Sequence, residues 1–285
     1  IGTGLVGSEM CIRDRFWSTV SLRGMIACKL QINVLKEGVH SGSASGVVPS
    51  PFRLLSKLIN RLEDSDTGKI DLENLNVEIP DERKVQALEM VECLGNWEEE
   101  FPWYGNTKPS TSDSYESMLN RTWRPTMTVI GIDGIPPIKD GGNVLLPFSA
   151  ANLSFRLPPT ADSKKAMQEV EKTLLSDPPN SCEVSIKWEK AANGWNAPSC
   201  KPWLNDAINE SSKEIFGKPA RAMGEGGTIP FMGMLGERYP QAQFVITGVL
   251  GPNSNAHGPN EFIHIPFAKR LNTCIALILS NYQKN

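Results

Sequence analysis

Four short segments that predict β-strands, three by alternation and one by a run of β-branched residues, constrain the fold more than any other feature of the sequence. In the first, residues 30–34, apolar and polar side chains alternate, which is the pattern of a strand with one buried face. Three further strands are predicted over residues 126–132, 152–157 and 182–188. Because each strand must bury its apolar face against another layer, the segments between the strands decide the fold class.

Two amphipathic helices are predicted between these strands. Ser50 and Pro51 mark the start of the first, because a serine hydroxyl can cap free amide groups and proline fits the first helical turn. The second spans residues 162–175. The predicted apolar stripes consist of Phe52, Leu55, Leu58, Ile59 and Leu62 in the first helix and of Met167, Val170 and Leu174 in the second. The order strand, helix, strand, strand, helix, strand predicts a split βαβ, or ferredoxin-like, arrangement with a long insertion at residues 64–122.

The last part of the chain has a different composition. A linker over residues 191–202, rich in small residues, asparagine and proline, comes before predicted helices at residues 204–216 and 266–279. Between these helices, the apolar run at residues 244–247 is predicted to be a short buried strand. These elements fit part of an α/β layer but are too few for a self-sufficient sheet, so the predicted fold class is α/β combined with α+β.

Composition and charge exclude several classes of partner. With 29 basic and 32 acidic residues the net charge is −3, and there is no polybasic run, so nucleic acid is not indicated. No apolar stretch approaches the roughly 18 residues of a membrane helix, and residues 1–15 lack the regions of a signal peptide. The six cysteines form no C-x-x-C pair, which indicates reduced thiols in a cytoplasmic protein. They are Cys11, Cys28, Cys93, Cys182, Cys200 and Cys274.

Two loops carry candidate functional groups. His257 lies between small residues in the loop at residues 248–262, where an accessible imidazole can bind zinc or carry a proton; a surface or capping histidine is the alternative. The segment GEGGTIP at residues 224–230 offers clustered backbone amides before a helix, which suits a carboxylate or a phosphate. A plain strand-to-helix turn is the commoner explanation, since the segment matches neither the dinucleotide fingerprint nor the P-loop.

Five motifs follow one another in an order that resembles a known family. They are GVHSG at residues 38–42, the segment 142–147, LSFRL at 153–157, GEGGTIP at 224–230 and AHGPNE at 256–261. From about residue 16 to its end, the chain resembles the zinc metallopeptidase family of carnosine dipeptidases, acetylornithine deacetylase and succinyl-diaminopimelate desuccinylase. Within that family the chain is most similar to the dipeptidase branch.

The resemblance implies a division of the chain into functional parts. Residues 1–15 resemble translated sequencing-adapter sequence and are expected to be a non-native leader. Residues 16–21 correspond to the end of an amino-terminal catalytic segment, and residues 22–189 to a ferredoxin-like lid that also forms the dimer interface. Residues 190–285 correspond to the carboxyl-terminal part of an α/β zinc-peptidase catalytic domain.

The same resemblance implies roles for individual residues. His257 matches a histidine that binds one of two zinc ions. His40 matches the lid histidine that reaches the partner subunit's active site and hydrogen-bonds the scissile carbonyl oxygen, where negative charge develops. Arg156 matches the lid arginine that grips the terminal carboxylate of the substrate, a task that suits a forked guanidinium. As structural alternatives, His40 is a turn residue and Arg156 is a solvated or paired side chain on a strand's polar face.

Further contacts with the substrate are implied for the glycine-rich motif. The amides around Gly226 and Gly227, together with the Thr228 hydroxyl, are expected to bind the same end of the substrate as Arg156. Asn143 is a weaker candidate for a lid contact. The implied substrate is a small peptide or an N-acyl amino acid, and the implied assembly is a homodimer through the lid, with neither nucleic acid nor a membrane as a partner.

One departure from the family pattern limits these expectations. The H-x-D motif, the bridging aspartate, the further acidic ligand and the water-activating glutamate of the family are not found before His40. The chain is therefore expected to be a fragment of a dinuclear zinc dipeptidase or amidohydrolase, with manganese or cobalt as alternative metals, and to be inactive as it stands. The alternative is a non-catalytic dimerisation or carboxylate-binding module.

Overall fold

The computed structural model describes residues 12–251, 254–255 and 258–282, and its strands form three sheets in that part of the chain. The strands are β1 (Trp17–Leu22), β2 (Gly24–Asn33), β3 (Val39–His40), β4 (Thr126–Asp133), β5 (Val144–Leu145), β6 (Phe148–Leu157), β7 (Glu183–Ala192), β8 (Trp195–Asn196) and β9 (Arg221–Glu225). The helices are α1 (Ser41–Ala44), α2 (Pro51–Ile59), α3 (Asp81–Leu94), α4 (Ser114–Thr122), α5 (Ser163–Leu175), α6 (Pro202–Phe216), α7 (Pro230–Arg238) and α8 (Ile265–Tyr282).

The largest sheet has four strands in the order β4-β6-β2-β7, and every neighbouring pair is antiparallel. Helices α2 and α5 connect its strands and share one apolar core with it. This order, with the first and third strands of the βαββαβ unit at the centre, confirms the predicted ferredoxin-like arrangement. The residues buried in this core include Ile26, Leu30, Ile32, Leu54, Leu58, Leu153, Phe155, Leu157, Val170 and Leu174.

Local contacts explain where the two core helices begin. Asp162 caps α5, since its carboxylate accepts hydrogen bonds from the backbone amides of Lys164 and Lys165. The hydroxyl cap predicted for Ser50 is wrong, because that side chain makes no capping hydrogen bond, and α2 simply begins at Pro51. The predicted apolar stripe of α2 also needs one correction, because Phe52 is 48% exposed while the neighbouring turn of the helix is buried.

A second, three-stranded sheet has the order β8-β1-β9. Strand β1 lies parallel to β9 and antiparallel to β8. Helices α3 and α4 of the predicted insertion pack on this sheet, where Trp17 shares a core with Met90 and Met118. Helices α6 and α8 form another core with Phe16. The insertion therefore covers the three-stranded sheet, although it interrupts the sequence of the four-stranded one.

The chain crosses between the two sheets at two places that touch each other. Arg23 alone separates β1 from β2, and the residues 193–194 separate β7 from β8. A Cβ atom on Gly24 would lie 2.9 Å from the carbonyl oxygen of Ala192 and 2.9 Å from the amide nitrogen of Gly194. A Cβ atom on Gly194 would lie 2.6 Å from the carbonyl oxygen of Leu22. Both crossings therefore require glycine, because backbone packs directly against backbone.

The strand predicted at residues 244–247 is not formed, which corrects the sequence interpretation. The segment makes one backbone hydrogen bond to strand β1, from the Thr19 amide to the Ile246 carbonyl oxygen at 2.8 Å, and has no assigned strand structure. Its Phe244 ring packs edge-on against Trp195, with 5.3 Å between ring centroids. Phe244 and Ile246 both pack against the buried cluster of Leu22, Trp195 and Met232, so side-chain packing explains the apolar run without a ladder of hydrogen bonds. Across the described residues, we find no helix with the length and apolar character needed to span a membrane.

Candidate functional site

The glycine-rich motif forms a turn between strand β9 and helix α7, and we call residues 226–229 the glycine turn. A Cβ atom on Gly226 would lie 3.2 Å from the Arg121 carbonyl oxygen and 3.2 Å from Nη2 of Arg23, so only glycine fits there without displacing a neighbour. A Cβ atom on Gly227 would meet no described atom within 4 Å. The turn is therefore tightly packed at Gly226 and open at Gly227.

Arg156 connects the four-stranded sheet with the glycine turn. It lies near the end of β6, where its Cα partners are Met25 on β2 and Thr126 on β4. Because Phe155 and Leu157 point into the core, the intervening side chain projects from the opposite face of the sheet. Its Nη1 donates a hydrogen bond of 3.0 Å to Oγ1 of Thr228. The structure thus brings together four of the predicted site residues, Arg156, Gly226, Gly227 and Thr228, on two separate elements.

A second arginine, Arg23, lies behind the same turn. It is 9% exposed, and its Nε donates a hydrogen bond of 3.1 Å to the carbonyl oxygen of Gly226. Its Nη1 donates to Oγ1 of Thr126 at 3.1 Å and to the carbonyl oxygen of Asn120 at 3.4 Å. Burial, followed by the positive charges of Arg156 and Arg121, lowers the pKa of Arg23 to about 10. The guanidinium remains charged at neutral pH despite these costs.

Arg121 and Glu225 complete the charged surroundings of the turn. The Arg121 guanidinium lies over the ring of Trp97, 5.3 Å from its centroid. Burial raises the pKa of Glu225, and the positive charge of Arg121 partly opposes that rise. Three guanidinium groups and one partly desolvated carboxyl group therefore surround the turn, and this balance of charge favours an anionic ligand.

The raised pKa of Glu225 leads to a prediction about stability. A carboxyl group whose pKa is raised by folding binds more protons in the folded than in the unfolded state above its ordinary pKa of 4.5. Stability therefore falls as the pH rises through the window from that value to the raised one. Glu225→Gln should remove this loss, which amounts to about 1.4 kcal/mol for each unit of the shift. Urea denaturation between pH 4 and pH 8 measures the effect. Glu237→Gln, at an exposed position of α7, is the control, and an equal effect of Glu225→Gln at both ends of the pH range would contradict the prediction.

His40 and Asn143 form a second group of predicted residues. His40 ends the short strand β3, which pairs with β5 so that His40 faces Val144. The amide of the next residue, Ser41, donates a hydrogen bond of 2.9 Å to the carbonyl oxygen of Asn143. His40 is exposed, and its ring lies against Gly42, where a Cβ atom would come within 2.9 Å of Cε1. The two-stranded ribbon of β3 and β5 therefore carries an accessible imidazole. It follows the carboxyl end of strand β2 in the chain.

The predicted metal ligand cannot be placed in this arrangement. His257 lies outside the described residues. In the described part of the chain, no three His, Cys, Asp or Glu side chains come together as the ligands of a metal ion would. The described residues by themselves do not fit a zinc centre, which takes about four ligands.

Sequence reasoning did not identify three charged residues at the turn, Arg23, Arg121 and Glu225. Glu225 lies inside the GEGGTIP motif, where a carboxylate between a strand and two glycines is a usable signal. Arg23 gave a weaker signal, as a charged residue between two apolar strands. Arg121 gave no signal in the sequence, because it is a polar residue in the last turn of an ordinary amphipathic helix.

Comparison with known proteins agrees with the geometry of the fold. Residues 20–182 match the model of the peptidase dimerisation domain. The chain is 25% identical over 272 residues to the cysteinylglycine-S-conjugate dipeptidase of Corynebacterium striatum, a match that covers 88% of this chain and 55% of that protein. It is 26% identical over 242 residues to the Cys-Gly metallodipeptidase of Saccharomyces cerevisiae, which covers 78% of this chain and 48% of that protein.

A solved structure shows the same fold. Human carnosine dipeptidase 1 superposes with a TM-score of 0.70 at 18% sequence identity, over 94% of this chain and 57% of that one. The chain spans about half the length of the curated relatives it matches. Because the matched segment makes up more than half of the chain and includes strands β2, β4 and β6 of the four-stranded sheet, the chain belongs to the peptidase dimerisation domain family, as the order of its motifs predicts.

Proposed function

We propose that this chain supplies the lid and the carboxylate-binding turn of a dipeptidase, which hydrolyses the peptide or amide bond of a small peptide or N-acyl amino acid. In this proposal residues 22–189 form the lid and residues 190–285 belong to the catalytic domain. The observation that carries the proposal is the hydrogen bond from Arg156 to Thr228. It places a guanidinium from one sheet beside an open turn from the other, and these are complementary groups for one carboxylate.

The chemistry of carboxylate binding fits the groups at the turn. A guanidinium presents donors in a planar fork that matches the two oxygens of a carboxylate. Arg156 uses Nη1 for Thr228, and a carboxylate beside this pair can accept hydrogen bonds from the other guanidinium donors and from the Thr228 hydroxyl. The open side of Gly227 allows the ligand to approach the backbone amide. These groups hold the substrate by its carboxyl terminus, which fixes the position of the bond to be cleaved.

His40 acts on the other side of the scissile bond in this proposal. Its imidazole is exposed, and in this proposal it reaches the active site of a second subunit. A donor aimed at the carbonyl oxygen stabilises the negative charge that develops when water attacks. The proposed assembly is accordingly a homodimer formed through the lid domain, with Asn143 beside His40 as an additional contact. The family name, which refers to dimerisation, supports this assembly.

The proposal also includes a metal ion in the active site. The Saccharomyces cerevisiae relative is named a metallodipeptidase. We place a metal, zinc in the first instance, with His257 as one ligand and with further ligands that the described residues do not supply. When bound, such a metal activates a water molecule for attack on the amide carbon.

The cysteines of the described residues are free thiols, which agrees with a cytoplasmic location.

The proposal is tested by the preference of the enzyme for a free carboxylate. We expect Arg156→Gln, in the full-length protein that carries this chain, to lower kcat/KM for cysteinylglycine about 10- to 100-fold, as expected for the loss of a charged hydrogen bond. The same change should leave kcat/KM for the cysteinylglycine amide within about threefold, since that substrate has no carboxylate to hold. Hydrolysis of both substrates is followed by release of free amino groups.

Arg53→Gln is the matched control, because Arg53 is an exposed arginine of the same domain on helix α2. It should change neither substrate's rate. An equal loss of rate for both substrates in Arg156→Gln would show that Arg156 does not bind the carboxylate. Binding of cysteinylglycine without hydrolysis by the zinc-loaded full-length protein would instead support a carboxylate-binding module and contradict the enzyme.

A further inference from the structure

Arg23 occupies an unusual place in the fold. It is the single residue between β1 of the three-stranded sheet and β2 of the four-stranded sheet. A charged side chain at such a crossing can be solvated at little cost, yet this one is buried. Burying a guanidinium costs free energy unless every donor direction finds an acceptor. The acceptors of Arg23 therefore indicate what its burial achieves.

Those acceptors lie on three different elements around the glycine turn. Nε donates to the carbonyl oxygen of Gly226, and Nη1 donates to Oγ1 of Thr126 on β4 and to the Asn120 carbonyl oxygen on α4. Thr126 is also the Cα partner of Arg156. One side chain thus ties the turn to the strand pair that carries the carboxylate-binding arginine. Its position fixes the distance between the two halves of the proposed site.

The hydrogen bond to Gly226 also sets the direction of the next amide. In a trans peptide group the carbonyl oxygen of one residue and the N–H of the following residue point in opposite directions. Since the Gly226 carbonyl oxygen is held by Arg23, the Gly227 N–H points away from Arg23. No described atom lies within 4 Å of the position of a Cβ on Gly227, so there is free space beside this residue. The arginine behind the turn therefore orients a donor in front of it.

We propose that Arg23 is a positioning residue for carboxylate binding. It holds the Gly226–Gly227 peptide group so that the Gly227 amide faces the carboxyl terminus of the substrate, beside Arg156. This inference rests on the proposed function, because it concerns the same substrate carboxylate. It assigns Arg23 no contact with the substrate and no part in proton transfer.

The test compares two replacements of Arg23 in the full-length protein. Arg23→Gln removes the donors to Gly226 and Thr126 together with the charge. We expect it to raise KM for cysteinylglycine about tenfold, the effect of one misplaced charge-assisted contact. We expect KM for the cysteinylglycine amide to stay within about threefold, because that substrate has no carboxylate to hold. Arg23→Lys keeps a positive charge but loses the fork, so its KM for cysteinylglycine should also be raised.

A second buried arginine provides the control for a purely structural effect. Arg83 is 4% exposed, and its guanidinium donates to Gln86, Asn196 and the carbonyl oxygen of Ala197, none of which belongs to the glycine turn. Arg83→Gln should destabilise the fold, measured by urea denaturation, without changing the ratio of KM for cysteinylglycine to KM for its amide. If that ratio is also unchanged in Arg23→Gln, the positioning role is overturned.

The remaining outcomes separate this inference from the proposed function. A normal KM for cysteinylglycine in Arg23→Lys would assign the effect of Arg23 to its charge alone and would overturn the positioning role. If Arg23→Gln does not yield folded protein, a raised KM ratio in Arg23→Lys supports the role and an unchanged ratio overturns it. If Arg156→Gln leaves the preference for a free carboxylate intact, the proposed function itself fails. If Arg156→Gln loses the preference for a free carboxylate and Arg23→Gln keeps it, only the inference about Arg23 is overturned.

Discussion

Replacing Phe155 by alanine should lower the free energy of unfolding by about 3–5 kcal/mol, the range for removing a fully enclosed aromatic side chain. Phe155 is 0% exposed and lies on the central strand β6. Its Cα partners, Ile26 on β2 and Met127 on β4, belong to or pack against the same core. The ring therefore has neighbours on both sides that cannot collapse into the cavity without disturbing the sheet. Urea denaturation followed by circular dichroism measures the loss.

Phe52→Ala is the matched control for Phe155→Ala. Phe52 is 48% exposed on helix α2, and its truncation should change the free energy of unfolding by about 0.5 kcal/mol, in the range of surface substitutions. Equal losses in the two variants would contradict both the central position of Phe155 and the exposure of Phe52. The comparison uses the same chemical change at a buried and at an exposed position, so most of the difference reports burial.

Gly194→Ala should have the second largest effect on stability. It should lower the free energy of unfolding by about 3 kcal/mol, at the upper end of the usual cost of overpacking. A Cβ at residue 194 would lie 2.6 Å from the Leu22 carbonyl oxygen and 2.7 Å from both Cα and the carbonyl oxygen of Pro159. All three atoms belong to the backbone, so no side-chain rotation can relieve the contact. The two crossings between the sheets would have to separate, which also disturbs the contact with Gly24.

Gly142→Ala is the control for Gly194→Ala. A Cβ at residue 142 would meet no described atom within 4 Å. Alanine there should be neutral or raise the free energy of unfolding by about 0.4–1 kcal/mol, because it restricts the unfolded chain. Thermal and urea denaturation should therefore show that the two variants change the free energy of unfolding in opposite directions or by very different amounts. A loss below 1 kcal/mol for Gly194→Ala would show that the crossing is not closely packed.

Strands β2, β6 and β7 were predictable because apolar and polar residues alternate along them, whereas β4 was predicted from its β-branched residues although most of its side chains are exposed. Leu153, Phe155 and Leu157 alternate with polar residues, and the structure buries all three. The run at residues 244–247 misled because apolar character alone does not distinguish a strand from an extended segment that makes one hydrogen bond. Phe52 misled because helical spacing places it at the edge of the apolar stripe, where the sheet no longer covers it.

The site was only partly predictable, because residues that contact each other there are far apart in the sequence. Arg156 and Thr228 were identified because each lies in a motif, although their hydrogen bond joins residues 72 positions apart. Arg23 lies in no motif, and its main acceptor, Gly226, is 203 positions away in the sequence. Its role depends on how two sheets meet, which no local pattern records. The catalytic role of His40 and the metal ligation by His257 remain predictions.

The contact between Gly24 and Gly194 lies at one end of the four-stranded sheet, close to Arg156 and far from the strand end that leads to His40. Any rotation of that sheet about the paired glycines leaves nearby residues almost still and carries distant ones far. Arg156 pairs with Met25, one residue from Gly24, whereas Asn33, at the opposite end of β2, lies about 30 Å from it at roughly 3.3 Å per residue. A swing of about 10° would move the end that leads to His40 by about 5 Å and the backbone of Arg156 by about 1 Å, at these spacings. A rotation of that kind would therefore change the position of the His40 imidazole much more than the position of Arg156.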